Sequence, residues 1–458
     1  MILVYSHKIT PRLTYIFRQI FVRILELPVS FTSTIEKFIS HSGPKLSYTK
    51  QPLGNEFFIR SHDLLFQQGV QEIEFEIEKW KGLPAFFKTG SESRLPYDVF
   101  AASFYLISRY EEYLPHIKDE LGSYTPYQSL AYKNSFLEKP IVDLWAVRLK
   151  DQLNSFFPDL SHISWKKPKF LPVVSVVNPF QYKKKSPLFY FSDFLSFVWK
   201  LDFILIAEQF LVLFGLKKDP YDNFDELERL FNDLKIYPQY FFLFTKNPNF
   251  ERGLSIYKTA YRELVKHVAD YNKVSLLVSH DAQNDSSILA KERKILKKLI
   301  HQQILSVRFN FGLFSSAKAY YGLISEELEE DYSMGYNDEI GYRASTAVPF
   351  YFYDLNNDLQ TSLKINPVVA TEEGIRKFSD YKAFKKLEEM YEGLSTRSSI
   401  HIISVSNSIL TIDKMKNSWR DQFLNYLHYH EILSYNYRVY QFSSQYFLNI
   451  DQLILALY

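Results

Sequence analysis

The clearest regularity in this chain is an alternation, through its second half, of short apolar runs with stretches in which apolar residues recur every three or four positions. Runs of strand length are LPVVSVV (171–177), PQYFFLF (238–244), KVSLLVS (273–279), ILSVRFN (304–310) and SIHIISVSNS (399–408). Between them, 224–235, 257–271 and 286–300 carry helical spacing, and a further helix is predicted around Trp419 to Tyr429. Continuous apolar runs suit strands buried on both faces, and helical connections of this size join such strands in parallel with right-handed crossovers. Five or more such units over about 290 residues favour a barrel over an open sheet.

The first half reads differently. MILVY opens as a strand, Arg12 to Leu25 has helical spacing, and the segments near Val29, Leu46 and Phe57 are further strands. Residues 97–114 form the strongest predicted helix, with Asp98 placed to cap it. The mixed polar, basic and proline segment 161–171 marks a boundary. The expected fold class is therefore α/β, with an N-terminal α/β domain over 1–165 and a (β/α) barrel domain over 168–458.

Composition narrows the function classes. A formal charge of +2 gives no field to gather nucleic acid or an anionic surface, and zero Cys removes disulfides, thiolate metal cages and thiol nucleophiles. Forty Phe and 34 Tyr chiefly fill cores, although flat rings also line sugar grooves. The N-terminus lacks the pattern of a cleaved secretory signal, so a cytoplasmic location is expected. The most apolar stretch, Phe203 to Leu216, carries Glu208 and at about 14 residues is too short to span a bilayer; it reads as a packed helix, with a membrane-resting helix as the lesser reading. No transmembrane segment and no nucleic-acid partner are expected.

Parallel α/β barrels place their chemistry where strands end. Those ends hold Ser175, Val177 and Asn178; Ser279, His280 and Asp281; Arg308 and Asn310; and Val405, Ser406 and Asn407. His280–Asp281 is the one His–carboxylate dipeptide at a predicted strand end. His428 and His430 lack a partner carboxylate at metal-ligand spacing. Glu111 and Glu112, adjacent on a predicted helix, point apart. No dinucleotide fingerprint, phosphate loop or nucleophile elbow occurs.

Several longer segments carry a resemblance: QPLGNEFFIRSHDLLFQQG (51–69), LPYDVFAASFYLISRYEEYLPH (95–116), VDLWA (142–146), KKDPYDNFD (217–225), EDYSMGYNDEIGYRAST (330–346) and PFYFYDL (349–355). On these the chain resembles bacterial polysaccharide-deacetylase-like proteins of carbohydrate esterase family four, the NodB-homology group, preceded by a group-specific N-terminal domain. The resemblance implies a distorted (β/α) barrel of the polysaccharide deacetylase type. It also implies an Asp-x-Asp pair and metal-binding histidines that this chain replaces: Ser175 and Val177 stand for the carboxylates, Leu277 to His280 for a histidine motif, Val307 to Phe309 for Arg-Gln-His, and Ser404 to Ser406 for Trp-His-Asn. It thus implies a degenerate, inactive member with no catalytic residue, no metal ligand and no cofactor. Candidate groove residues are His280, Asp281, Arg308, Asp331, Tyr336 and Arg343, with Tyr332 and Asp354 also retained and an Arg343–Asp331 ion pair expected. Candidate partners are a glycan or glycolipid precursor, or a protein of polysaccharide metabolism. The enzymatic alternative is a zinc-type deacetylase site rebuilt around His280 and Asp281 with Asp285 or Asp331. In the third reading, the N-terminal domain works and the barrel is a platform.

Overall fold

The computed structural model describes residues 1–120, 122–160, 168–183, 187–246, 251, 253–310, 316–378, 380–411 and 419–433. Most of the expected boundary segment 161–171 therefore lies outside the described residues.

The first 60 residues build a parallel sheet of four strands in the order β2-β1-β3-β4, with β1 at Ile2–Tyr5, β2 at Val29–Thr32, β3 at Lys45–Thr49 and β4 at Phe57–Arg60. Thr10 caps the helix Pro11–Arg18, whose pre-set proline φ suits a first turn. A hairpin of β5 (Glu78–Trp80) and β6 (Leu83–Ala85) follows. The helix Val99–Ile107 starts as expected: Asp98 accepts hydrogen bonds from the backbone N–H groups of Phe100 and Ala101. It ends seven residues before the expected limit at 114, because Arg109 turns left-handed at φ 54° and Tyr110–Tyr113 continue as a 3-10 turn.

The second half carries β7 (Lys169–Val176), β8 (Gln239–Leu243), β9 (Lys273–Val278), β10 (Ser306–Phe309), β11 (Glu330–Asp331), β12 (Phe350–Asp354), β13 (Leu359–Ile365), β14 (Ala370–Thr371) and β15 (Ile400–Ser406). They form one sheet in the order β12-β13-β11-β10-β9-β8-β7-β15-β14, parallel except for the β12–β13 hairpin. A strand second from one end of that order is joined through the chain itself to the strand at the other end. β13 pairs with β11 and β14 with β15, yet only 366–369 separate β13 from β14. The sheet accordingly curls around a small core of Leu171, Val173, Phe241, Leu243, Leu277, Tyr332, Val368 and Ile402, all on strands or next to them. Its convex face belongs to a large core running from Ile2 to Leu427, so the two halves share one interior.

Three polar ties reinforce that sharing. Arg12, fully buried, donates to Asp358 at 2.6 and 2.9 Å. Asp143 accepts from the Ala347 N–H at 2.9 Å and from the Thr346 hydroxyl at 2.5 Å. Along β12, at the margin of the sheet, Gln19 donates to the Pro349 carbonyl at 3.2 Å and Tyr15 to the Tyr351 carbonyl at 2.7 Å.

The segment 203–216 departs from its expected packing. Its helix, Phe203–Leu213, buries only Gln209 and Val212. No described helix is long and apolar enough to cross a membrane.

A helix over 419–433 packs against the sheet through His430, whose ring stacks on Phe170 at 3.8 Å and lies 6.2 Å from His401. Tyr391 and Tyr426 meet the His430 ring edge to face at 4.5 and 4.7 Å. None of the four ring nitrogens has a hydrogen-bond partner among the described residues. Burial pushes His401 down to about 3, and burial with the neighbouring imidazole pushes His430 down to about 2. Unfolded imidazoles titrate near 6.5, so below that pH the unfolded chain binds more protons than the folded one. This stability is complete above about pH 6.5 and falls as the pH drops toward the folded values, by up to about 1.4 kcal/mol per pH unit and site. Urea unfolding at about pH 7 and pH 5 should show His430→Phe losing less stability on acidification than the parent; equal losses would contradict the buried neutral ring.

Candidate functional site

Strand alternation decides which side chains reach the concave face. On β7 these are Leu171, Val173 and Ser175, followed by Val177, while Val174 and Val176 face the large core. On β15, Ser404 and Ser406 share the concave face: the Ser404 and Ser175 hydroxyls lie 3.3 Å apart, and Ser406 pairs with Ser175 in the register. Val405 faces the other way, beside Val174 in the large core. The placement of Val405 at the mouth with Ser175, Val177 and Leu277 is thus corrected by the pleat.

Arg308 and Glu372 bring charge to this mouth. Arg308 is buried on the concave side of β10 and donates to the Tyr332 carbonyl, and burial lowers its guanidinium to about 10 against the pull of Glu373 and Asp331. Glu372 accepts from the Ser406 N–H at 2.7 Å and its hydroxyl at 2.8 Å, and pairs with Arg376 at 2.7 Å. Asn407 fastens the rim by donating to the carbonyls of Asn178 and Tyr221. In the KKDPYDNFD segment, Asp219 accepts from the backbone N–H groups of Gln181, Tyr182 and Lys183.

His280 and Asp281 open the short helix His280–Asn284, capped by Ser279, with the imidazole Nδ1 3.7 Å from the Asp281 carboxylate. Two carboxylates unremarked in the sequence stand behind them. Glu292 accepts from the Ser279 hydroxyl at 2.6 Å, and Glu251 accepts from the His280 N–H at 2.7 Å. Burial pushes Glu292 up to about 7, helped by the nearby Glu251 charge and opposed by hydrogen bonds from Ser279 and Thr245. Glu292 was legible in principle: it sits on the buried stripe Leu289, Leu296, Leu299 of an otherwise amphipathic helix. Asp285, the third ligand of the rebuilt-site alternative, instead caps the next helix by accepting from the Ser287 N–H at 2.8 Å.

The remaining candidates are occupied elsewhere. Asp331 lies beside Val307 on the convex face, where it accepts from the Tyr320 hydroxyl at 3.0 Å and from the Ser333 hydroxyl and N–H at 2.5 and 3.0 Å. Burial pushes its carboxyl up to about 6 against these bonds. Asp354 holds the β12–β13 turn through the Asn356 N–H and the Asn357 amide.

The expected Arg343–Asp331 pair is absent, because Arg343 pairs with Glu112. Its guanidinium donates to both Glu112 oxygens, at 2.8 and 3.0 Å, and stacks over Tyr336 at 5.4 Å. Arg109 binds the same carboxylate at 2.9 Å and reaches Glu111 at 2.8 Å. Glu111 and Glu112 thus converge on one cation, because the 3-10 turn replaces the helix that would have splayed them. Burial alone would raise the Glu112 carboxyl, but Arg343 and Arg109 outweigh it and hold it down to about 2. The six sequence candidates therefore fall in three places: His280 with Asp281, Arg308 with Asp331 on opposite faces of neighbouring strands, and Tyr336 with Arg343 at the joint between the halves. Among the described residues, no three His, Asp or Glu side chains are grouped to hold a metal ion.

Residues 2–158 match the model of a family of unknown function, DUF7033. No curated protein matches in sequence. Among solved structures, a protein assigned as a polysaccharide deacetylase from Mycobacterium smegmatis aligns over 58% of this chain and 86% of its own, at 10% identity and a TM-score of 0.33. One so assigned from Pseudomonas aeruginosa PAO1 aligns over 57% and 84%, at 11% and 0.33. A mutant of a pseudoenzyme of carbohydrate esterase family four, with restored enzymatic activity, aligns over 58% and 65%, at 5% and 0.29. Each is a distant likeness.

Two predictions follow from the buried charges. Glu112→Gln leaves Arg109 and Arg343 desolvated without their shared counter-charge and should cost about 3–5 kcal/mol in urea unfolding near neutral pH, with Asp331→Asn costing markedly less. The reverse ranking would refute the assignment. For Glu292, whose folded carboxyl is raised, stability is complete below about pH 4.5 and is lost as the pH rises through about 7. Glu292→Gln should thus gain on the parent between about pH 5 and pH 8, by on the order of 3 kcal/mol; a constant difference across that range would show that the carboxyl does not titrate there.

Proposed function

We propose that the second half is a deacetylase-like scaffold, closed as a distorted barrel, that binds a ligand without hydrolysing it. The carrying observation is the set of side chains on the concave face at the strand ends: Ser175, Val177, Leu277, Ser404 and Ser406. The sequence resemblance aligns Ser175 and Val177 with the base and a metal ligand and Leu277 with a histidine motif, while Ser404 and Ser406 flank Val405, which stands for the histidine of Trp-His-Asn and faces the other way. Hydroxyl and alkyl groups do not fit a divalent cation that must acidify water, since such sites need about three imidazole or carboxylate ligands and an open position. Barrel closure is supported by the run 359–371, which pairs with β11 through β13 and with β15 through β14, and by the apolar filling of its interior.

The rebuilt-site reading is less well supported. Asp331 is turned to the convex face and Asp285 is spent as a helix cap, while Glu251 and Glu292 hold loop backbone. The proposed ligand is a glycan or glycolipid precursor, with a protein of polysaccharide metabolism as the other candidate. A saccharide can use the buried Arg308 and the serine hydroxyls as donors, with Tyr332 beneath them as an apolar floor.

Purified protein should release no acetate from N-acetylated oligosaccharides, with or without zinc, cobalt or nickel, and these ions should leave the melting temperature unchanged. Native-state binding at about 100 times the dissociation constant would add about 2.7 kcal/mol, a readable shift. Metal-dependent acetate release and stabilisation that both vanish in His280→Ala would overturn this reading in favour of a site rebuilt at His280.

A further inference from the structure

Between β7 and β8 the chain makes a helical hairpin of Pro187–Trp199 and Phe203–Leu213, and its amphipathicity is inverted. On the first helix Phe191, Leu195, Val198 and Trp199 are exposed, which is the i, i+4, i+7, i+8 pattern of a single face. On the second, Phe203, Ile204, Phe210, Leu211 and Phe214, at i, i+1, i+7, i+8 and i+11, share one face and are also exposed. Trp199 at the tip is 89% exposed and Leu201 beside it 71%. Soluble helices turn such stripes inward; here two adjacent helices turn them outward, and an open groove of about 1010 Å³ lies along Phe191, Leu195, Val198, Trp199 and Leu201.

The polar groups of the hairpin point to the occupant. Asp202 caps the second helix by accepting from the Leu205 N–H at 3.1 Å. Glu208 is taken up by Lys217 and the Tyr182 hydroxyl, and Asp193 is half-buried. Lys200 at the tip and Lys218 at the base remain exposed, so the apolar surface is framed by cations. At 1.5 Å per residue the helices are roughly 20 and 16 Å long, short of the ~30 Å hydrocarbon layer. They can therefore lie along one leaflet, in the plane of the surface, without crossing it.

We propose that this hairpin docks the protein on an anionic phospholipid surface, with Trp199, Leu201 and the two outward stripes among the acyl chains and Lys200 and Lys218 at the headgroup phosphates. The lysines select a lipid surface over a protein groove: a bilayer accommodates apolar side chains on every side of the tip and supplies fixed negative charge. This inference is independent of what the concave face binds.

The test is flotation of the full chain with vesicles of phosphatidylcholine alone and of phosphatidylcholine mixed with phosphatidylglycerol. The parent should float with the mixed vesicles and more weakly with the neutral ones. The double variant Trp199→Glu, Phe214→Glu should bind at least about tenfold more weakly while keeping the parent's melting temperature, because both side chains are exposed. Lys200→Glu with Lys218→Glu should lower binding to the mixed vesicles only. No flotation with either composition, or equal flotation of the Trp199→Glu, Phe214→Glu variant, overturns the proposal. So does parent protein that dimerises in light scattering, is made monomeric by that double variant and does not float, since the occupant is then a second copy of the chain.

Discussion

One buried carboxylate, Glu112, sits between two buried guanidiniums, and much of the architecture follows from keeping it there. Arg109 reaches it only because its own backbone turns left-handed, which stops the preceding helix at Ile107. Arg343 comes from the far side of the chain and meets it in the forked geometry that suits a carboxylate. Removing such a group strands the others in a poorly polarisable interior, whereas together they fix the relative placement of the segments that supply them. Two of the longer resembling segments, 95–116 and 330–346, are therefore two sides of one joint. Arg12 with Asp358 and Asp143 with Thr346 repeat the device at other points, and the continuous apolar core fills the space between.

The strands of the second half were legible in the sequence because a strand buried on both faces has no polar alternation to obscure it. The limits 273–279 and 399–408 differ from β9 and β15 by a residue or two. What escaped was decided by distant partners. Local spacing could not foresee that the helix containing Glu111 and Glu112 would break to serve Arg343. Nor could it tell that the apolar residues of 203–216 face outward, since composition records that a helix is oily and not which way it turns. Val405 was misplaced by one step of the pleat, the smallest error a strand allows and one that exchanges faces completely. The short strands β11 and β14 were invisible as runs, because two residues carry no period.

Several polar residues on the loops and strand ends of the second half share a physical character. Asp219, Asp331, Asp354 and Asn407 each satisfy backbone or hydroxyl partners that would otherwise be buried without a bond. Groups of this kind are held in place by folding itself, whatever happens at the strand ends. Alkyl side chains at the mouth, such as Val177 and Leu277, have no such obligations. The polar residues that look most telling in the sequence are thus ones that report on loops.

At the outer margin of the sheet, the β12 strand is met by Gln19 and Tyr15 from the helical segment that follows β1, and the Arg23 guanidinium lies 4.6 Å over the Tyr351 ring. A strand margin left open offers peptide groups to any other extended chain. The N-terminal segment thus acts as a guard rail against edge-to-edge self-association. Since it is made first on the ribosome, it is already present when the last strands of the sheet emerge. Trimming the N-terminal half away would bare an aggregation-competent rim along with an apolar face, which makes the two halves interdependent for solubility as well as for stability.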